Sequence, residues 1–384
     1  MVRSTAGLVA AVVVTATVGG WPGGVHGCPF CGVVGDSLAI RRDAADVAAV
    51  GEAEGAATAG SDGFLAQAFR IDQVLRGTLP AGTTPATARV DGPVSGTALL
   101  FGSTPGGPLR CSAVGANEAL LGYAAAAPAT SLAAAERLRW FARWLEHPEP
   151  AIAADAFTEF GLAPFEAVQE AADAFDAGKL AAWIDEPGID ARRRGFYGLA
   201  AGLVAAHSAD AATRGRLRDA LEAAIDAPAD DFRAGFDGLL AGLLMAEGTA
   251  GLDKLDRRGL FAPTARPLDQ RHLLAALRFA WESLGDTISR DRVAAATARL
   301  VASPAVAADA IIDLARYDAW THVDEVARLW ETLGRDDPLV RRAVAGYLAA
   351  CPLPAARAHL ERFRGANPVL LDAALEAARG PLAR

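Results

Sequence analysis

Histidine and cysteine are scarce in this chain, at six and four among 384 residues. The five histidines beyond the first segment, His147, His207, His272, His322 and His359, are never spaced three or four positions from one another. That removes the His-based metal motifs. One Cys-x-x-Cys is present without a second, so cysteine alone does not assemble a four-ligand zinc site. No glycine-rich loop ends in Lys-Ser or Lys-Thr, and no Gly-x-Ser-x-Gly elbow occurs, so phosphate-cradling and hydrolase motifs are missing. Basic charge is in deficit: 37 Lys and Arg against 46 Asp and Glu give a net charge of -9. A nucleic-acid phosphate backbone is therefore excluded as the main partner, since it needs a basic footprint. No cofactor or metal is expected, and no span that could cross a bilayer occurs after residue 27.

What is present begins with a leader. Arg3 precedes an apolar run from Ala6 to Val18, and a Gly/Pro break leads to Val25-His26-Gly27. This predicts a signal peptide over 1–27, cleaved before Cys28, and hence an exported chain, periplasmic or extracellular. A cysteine at the cleavage point also allows a lipoprotein anchored at Cys28, although His26 makes a poor lipobox. Export puts the cysteines where disulfides persist. Cys28-Pro29-Phe30-Cys31 can be a redox dithiol, with the look of a glutaredoxin box, or half of a structural framework. A bridge from Cys28 or Cys31 to Cys111, or between the first two, is the structural version. Cys351, before Pro352, is expected as a buried free thiol.

The remaining length suggests two domains. Over 28–125 a short helix (36–46) is followed by strands at 45–57, 64–74, 87–90 and 97–101, then a helix at 118–125. Short strands with turn signals between them predict a small barrel. Over 130–384 the period becomes helical. Pro150, Pro187, Pro228, Pro267, Pro304, Pro338 and Pro368 recur at the spacing of an α-solenoid, each opening the second helix of a pair. Asp336-Asp337-Pro338 shows the reason: Asp accepts from exposed helix N–H groups, and Pro has none to leave unsatisfied there. From Pro338 onward, Leu339, Val340, Ala343, Val344, Tyr347 and Leu348 are predicted to form one apolar face. The fold class expected is mainly α with a small β domain: an OB-like β-barrel, then a HEAT-like α-solenoid.

Three resemblances extend these expectations. The strand Phe69-Arg70-Ile71-Asp72-Gln73-Val74-Leu75-Arg76-Gly77, followed by Thr97-Ala98-Leu99-Leu100-Phe101-Gly102, resembles the netrin/metalloproteinase-inhibitor type of OB-fold domain. The chain departs from that family in having Cys-x-x-Cys and few other cysteines. In inhibitors of the family the mature N-terminal cysteine amine chelates a protease zinc, a role the resemblance would give to Cys28. The segment from Asp336 to Ala343 resembles the second helix of a HEAT repeat. The whole layout resembles secreted bacterial proteins that open with a CPFC box and continue into HEAT-like helices, which implies a domain order but no activity.

Arg192, Arg193, Arg194, Arg233, Arg271 and Arg341 are the candidate binding-groove residues, and Arg278 and Arg342 fall in the same register. All are predicted on second helices, which line the concave face of a HEAT-type solenoid. There they either form a groove for an acidic or extended protein partner or pair with Asp of neighbouring repeats. The functional expectation is a non-enzymatic protein-binding scaffold. The alternatives are a thiol–disulfide protein acting through Cys28 and Cys31, and an inhibitor acting through the Cys28 amine.

Overall fold

The computed structural model describes residues 35–60, 63–83, 85–104, 109–228 and 232–379. The expected leader, Cys28 and Cys31 lie outside the described residues.

Five strands close into a barrel: β1 (Val47–Ala59), β2 (Leu65–Arg76), β3 (Ala86–Val90), β4 (Thr97–Ser103) and β5 (Arg110–Gly115). The order around it is β1-β2-β3-β5-β4. Every pairing is antiparallel except the parallel β3–β5 contact. Its interior is filled by Phe69 among small and medium residues, Ala49, Ala88, Ala98, Leu100 and Ala113. Gly51 permits the tight wall beside them, since a Cβ there would lie 2.6 Å from the Arg70 carbonyl oxygen. Four of these strands match the sequence expectation. The fifth, β5, is six residues with no long apolar alternation, and its place depends on pairing with β4.

Helix α1 (Leu38–Ala44) precedes the barrel and α2 (Glu118–Ala126) follows it. Both belong to one core that includes Ala48, Leu99 and Phe101 from the outer barrel wall and continues through the helices beyond. Those helices are α3 (Ala134–Phe141), α4 (Pro150–Leu162), α5 (Phe165–Glu170), α6 (Ala177–Asp185), α7 (Ala191–His207), α8 (Ala211–Asp226) and α9 (Phe236–Glu247). Next come α10 (Thr249–Arg257), α11 (Pro267–Ser283), α12 (Arg290–Ala298), α13 (Ala307–Arg316), α14 (Val323–Arg328) and α15 (Leu333–Asp336). The last three are α16 (Pro338–Ala350), α17 (Pro354–Ala366) and α18 (Pro368–Arg379). The first helix of the series is short, at eight residues. It ends in a 3-10 turn at Ala142–Trp144, before Glu146 at φ 53°.

All seven prolines stand where a first helix hands over to a second. Pro150, Pro267, Pro338 and Pro368 open α4, α11, α16 and α18; Pro187, Pro228 and Pro304 lie in the turns before α7, α9 and α13. Second helices then stack in series, α7 on α9, α9 on α11, α13 on α16 and α16 on α18. Asp190, Asp210 and Asp337 cap α7, α8 and α16 through backbone N–H groups.

The α7–α9 contact is unusually close. Gly195, Gly198 and Gly202 on α7 face Gly235, Gly238 and Gly242 of the next repeat. A Cβ on Gly202 would stand 2.2 Å from the Gly242 carbonyl oxygen, and one on Gly242 would stand 2.1 Å from the Gly198 oxygen. Only glycine lets two helix backbones touch in this way, with Cα–H groups against carbonyls.

Ion pairs tie neighbouring repeats. Arg233, just before α9, meets Asp269 of α11 at 3.3 Å, and Arg278 of α11 meets Asp313 of α13 at 2.5 Å. Arg258 meets Asp226, Arg292 meets Asp253 and Arg299 meets Asp256 along the first helices.

Candidate protein-binding site

The face of α13 and α16 is where the stack leaves a groove. Its walls come from stripes spaced three and four residues apart: Ala308, Ile312, Ala315 and Arg316 on α13, and Leu339, Arg342, Ala343 and Gly346 on α16. The space between them is about 500 Å³. On α16 the residues Val340, Val344, Tyr347 and Leu348 are buried as expected. Leu339 is not: the helical spacing places it on that apolar face, yet 64% of it is exposed. One residue's rotation along the helix turns it from the core to the groove mouth.

Electrostatics give the groove a sign. Arg316 and Arg342 line it together with the single carboxylate Asp309. Arg316 lends one nitrogen to Asp313 at 3.3 Å. The Nη2 of Arg342 is buried and has no acceptor among the described residues. Beneath them Asp313 is 1% exposed, and burial raises its carboxyl pKa even though Arg278 and Arg316 pull it down.

None of the six sequence-predicted arginines lines this groove. Arg194, in the first turn of α7, and Arg233 line a separate cleft of about 420 Å³, at the edge where first helices turn into second ones. Arg233, expected on a helix, instead precedes α9 with φ 51°, donates to the Ile225 carbonyl and lies over the Phe236 ring. Arg194 donates to the Glu186 carbonyl. Arg193 pairs with Glu146 at 2.9 Å, and Arg341 donates to the Arg335 carbonyl. Arg192 and Arg271 are exposed on α7 and α11. The six therefore do not converge on one groove; Arg233 pairs with an Asp of the neighbouring repeat, and the partner of Arg193 is a glutamate. Arg342, in the same register but not among the six, reaches the groove. Its signal in the sequence is its place three residues after Leu339.

Beside the turn-edge cleft, His272 is buried on α11. Its Nε2 meets the Phe232 carbonyl at 3.1 Å and its Nδ1 faces Asp237 at 3.7 Å. Burial alone would lower its pKa, but these two acceptors and the charge of Asp269 raise it.

A third polar group lies where the barrel meets the helices. Ser37 donates to Glu159, whose other oxygen meets Arg137 at 2.5 Å. The Leu38 N–H and the Tyr123 hydroxyl donate to Asp155 at 2.7 and 2.8 Å. Asp155 and Glu159 are one turn apart on α4 and together clasp the start of α1. Burial raises the pKa of both, against the hydrogen bonds and the cations Arg41, Arg42 and Arg137.

Cys111 is half-buried on β5. Its side chain packs with the barrel-interior cluster, whereas the next residue, Ser112, accepts from Arg41 of α1. Burial raises its thiol pKa. It forms no disulfide among the described residues, and its two expected partners lie outside them. Cys351 is a buried free thiol at the end of α16.

Among the described residues no cluster of His, Cys, Asp and Glu could hold a metal ion, and no helix is long and apolar enough to cross a membrane. Compared with known proteins, the chain matches no family model, no curated protein and no solved structure.

Proposed function

We propose that this chain is an exported, non-enzymatic scaffold that binds another protein through the second-helix face of its repeats. The carrying observation is the groove between α13 and α16, with Leu339 exposed at its mouth. A leucine in helical register with a buried face is instead held in solvent beside a 500 Å³ groove that an arginine enters. Exposed apolar surface rimmed by polar groups is the mark of an interaction site, and stacked helix pairs offer such surfaces along their length. The barrel's strand order β1-β2-β3-β5-β4 is compatible with the OB-like barrel expected of the first domain. We assign it the part of an end-piece covering the first repeat, because α1 and α2 share the core of α3 and α4.

The test places photoreactive benzoylphenylalanine at position 339 of the full chain in the producing cell. The control carries it at position 361, exposed on the outer helix α17. A protein adduct specific to position 339, identified by mass spectrometry, is expected. Equal labelling at both positions, or none at 339, refutes the scaffold reading. The mass of the mature N-terminus checks export separately.

A further inference from the structure

The scaffold reading leaves the partner's chemistry open, and the groove between α13 and α16 narrows it. Resting on that reading, we propose that this groove receives about two turns of an amphipathic helix from a partner protein, its apolar side chains on the floor and one carboxylate set against Arg342.

Length sets the size of the occupant. From Leu339 to Gly346 the groove runs along α16 for about 10 Å, the rise of two helical turns. The floor sets its shape. Ala308, Ala315 and Ala343 are small enough for a second helix to approach closely, Gly346 already faces Ala378 of α18 at the far end, and Ile312 and Leu339 supply the apolar contact. An extended segment would lay its backbone N–H and C=O groups on alanine methyls, where nothing pairs them. A helix satisfies those groups internally and presents side chains at the same three- and four-residue spacing as the walls.

Charge sets the polar residue. Arg342 lines the groove with part of its side chain accessible, and no carboxylate among the described residues pairs with it. An Asp or Glu on the incoming helix would match it with a charge-assisted bond. A Lys there would face two guanidiniums, with Asp309 as the one carboxylate in the lining.

The probes are fluorescein-labelled, hydrocarbon-stapled helices of about eleven residues. They carry leucines at i, i+4 and i+7 and either Glu, Gln or Lys at one flanking position. Binding to the full chain is read by fluorescence anisotropy. The Glu helix is expected to bind about tenfold tighter than the Gln helix, and the Lys helix most weakly. Arg342→Met keeps the side-chain stem, so it should erase the Glu-over-Gln ratio while the Gln helix still binds. Leu339→Asp should weaken all three. The ratio compares ligands on one protein, so a loss of stability cannot produce it. Three results overturn the proposal: no helix binds, Glu and Gln bind alike, or the ratio survives Arg342→Met. A position-339 adduct on a partner segment that is not an acidic helix would overturn it too and leave the scaffold reading intact. Absence of any specific adduct would remove the scaffold reading itself.

Discussion

Gly202→Ala and Gly215→Ala should shift stability in opposite directions. Both glycines are in helix interiors, where Ala is favoured over Gly by about 1 kcal/mol. At Gly215 on α8 a new Cβ meets nothing within 4 Å, so that gain should appear almost whole. At Gly202 the same carbon would stand 2.2 Å from the Gly242 carbonyl oxygen and 2.5 Å from its Cα. These are backbone atoms, which cannot rotate away. Helices α7 and α9 would have to part by about 1 Å, and a gap of that size forfeits a quarter to a half of each van der Waals contact along the seam. Overpacking of this kind costs about 3 kcal/mol. After the propensity gain the net loss is about 2 kcal/mol. For a chain of this size that is a fall of roughly 4 °C in thermal midpoint, against a rise of roughly 2 °C for Gly215→Ala. Circular-dichroism melts of the full chain measure both. If Gly202→Ala melts with or above the parent, the backbones of α7 and α9 are not in contact and the packing argument is wrong.

Asp313→Ala should cost about 3 kcal/mol in urea unfolding, because it strands Arg278 and empties a buried site; Arg278 is part-exposed, which trims the upper end of the range for broken buried pairs. Asp155 and Glu159 have raised pKa values, so above about pH 4 the folded state holds protons that the unfolded chain releases. Their contribution to stability therefore declines as pH climbs above the ordinary carboxylate range, and Glu159→Gln should flatten the decline seen in melts taken at rising pH. His272 is also raised, so its contribution is full below its ordinary value of about 6.5 and is lost as pH rises through the folded value. Titrating its ring proton by NMR should give a midpoint above 6.5, and a lower one contradicts the contacts with Phe232 and Asp237.

The proline rhythm, the capping aspartates and the change of period near residue 130 are legible in the sequence because each acts within a few residues. The clasp of α1 is not: Ser37 and Glu159 are 122 residues apart, and nothing local in either segment names the other. The glycine seam is written in the sequence less openly. Gly-Phe-x-Gly-Leu-x-Ala-Gly-Leu stands at 195–203 and again one repeat later at 235–243. As helical copies the two segments look loose, but glycine at matching positions on adjacent second helices already states that two backbones meet. The groove is half legible. Arginines on second helices are the right residue type in the right place, yet a helix's first turn points at the repeat edge, which is where Arg194 and Arg233 lie. Leu339 misleads for a related reason, since an apolar stripe drawn from spacing alone is wider than the strip of helix its neighbours can cover.

The clasp and the glycine seam both lie in the earlier repeats, and this sets an order of events. Stacked repeats exchange stability only with their neighbours. The far end, α18, has Val369 78% exposed and buries only Leu371 and Ala374 deeply. Opening should therefore begin at α17 and α18 and run backward, stalling at α7–α9. Amide exchange would record this as a gradient along the chain. The groove lies between the seam and that far end, so a partner helix seated there would also brace the weaker half of the stack against opening.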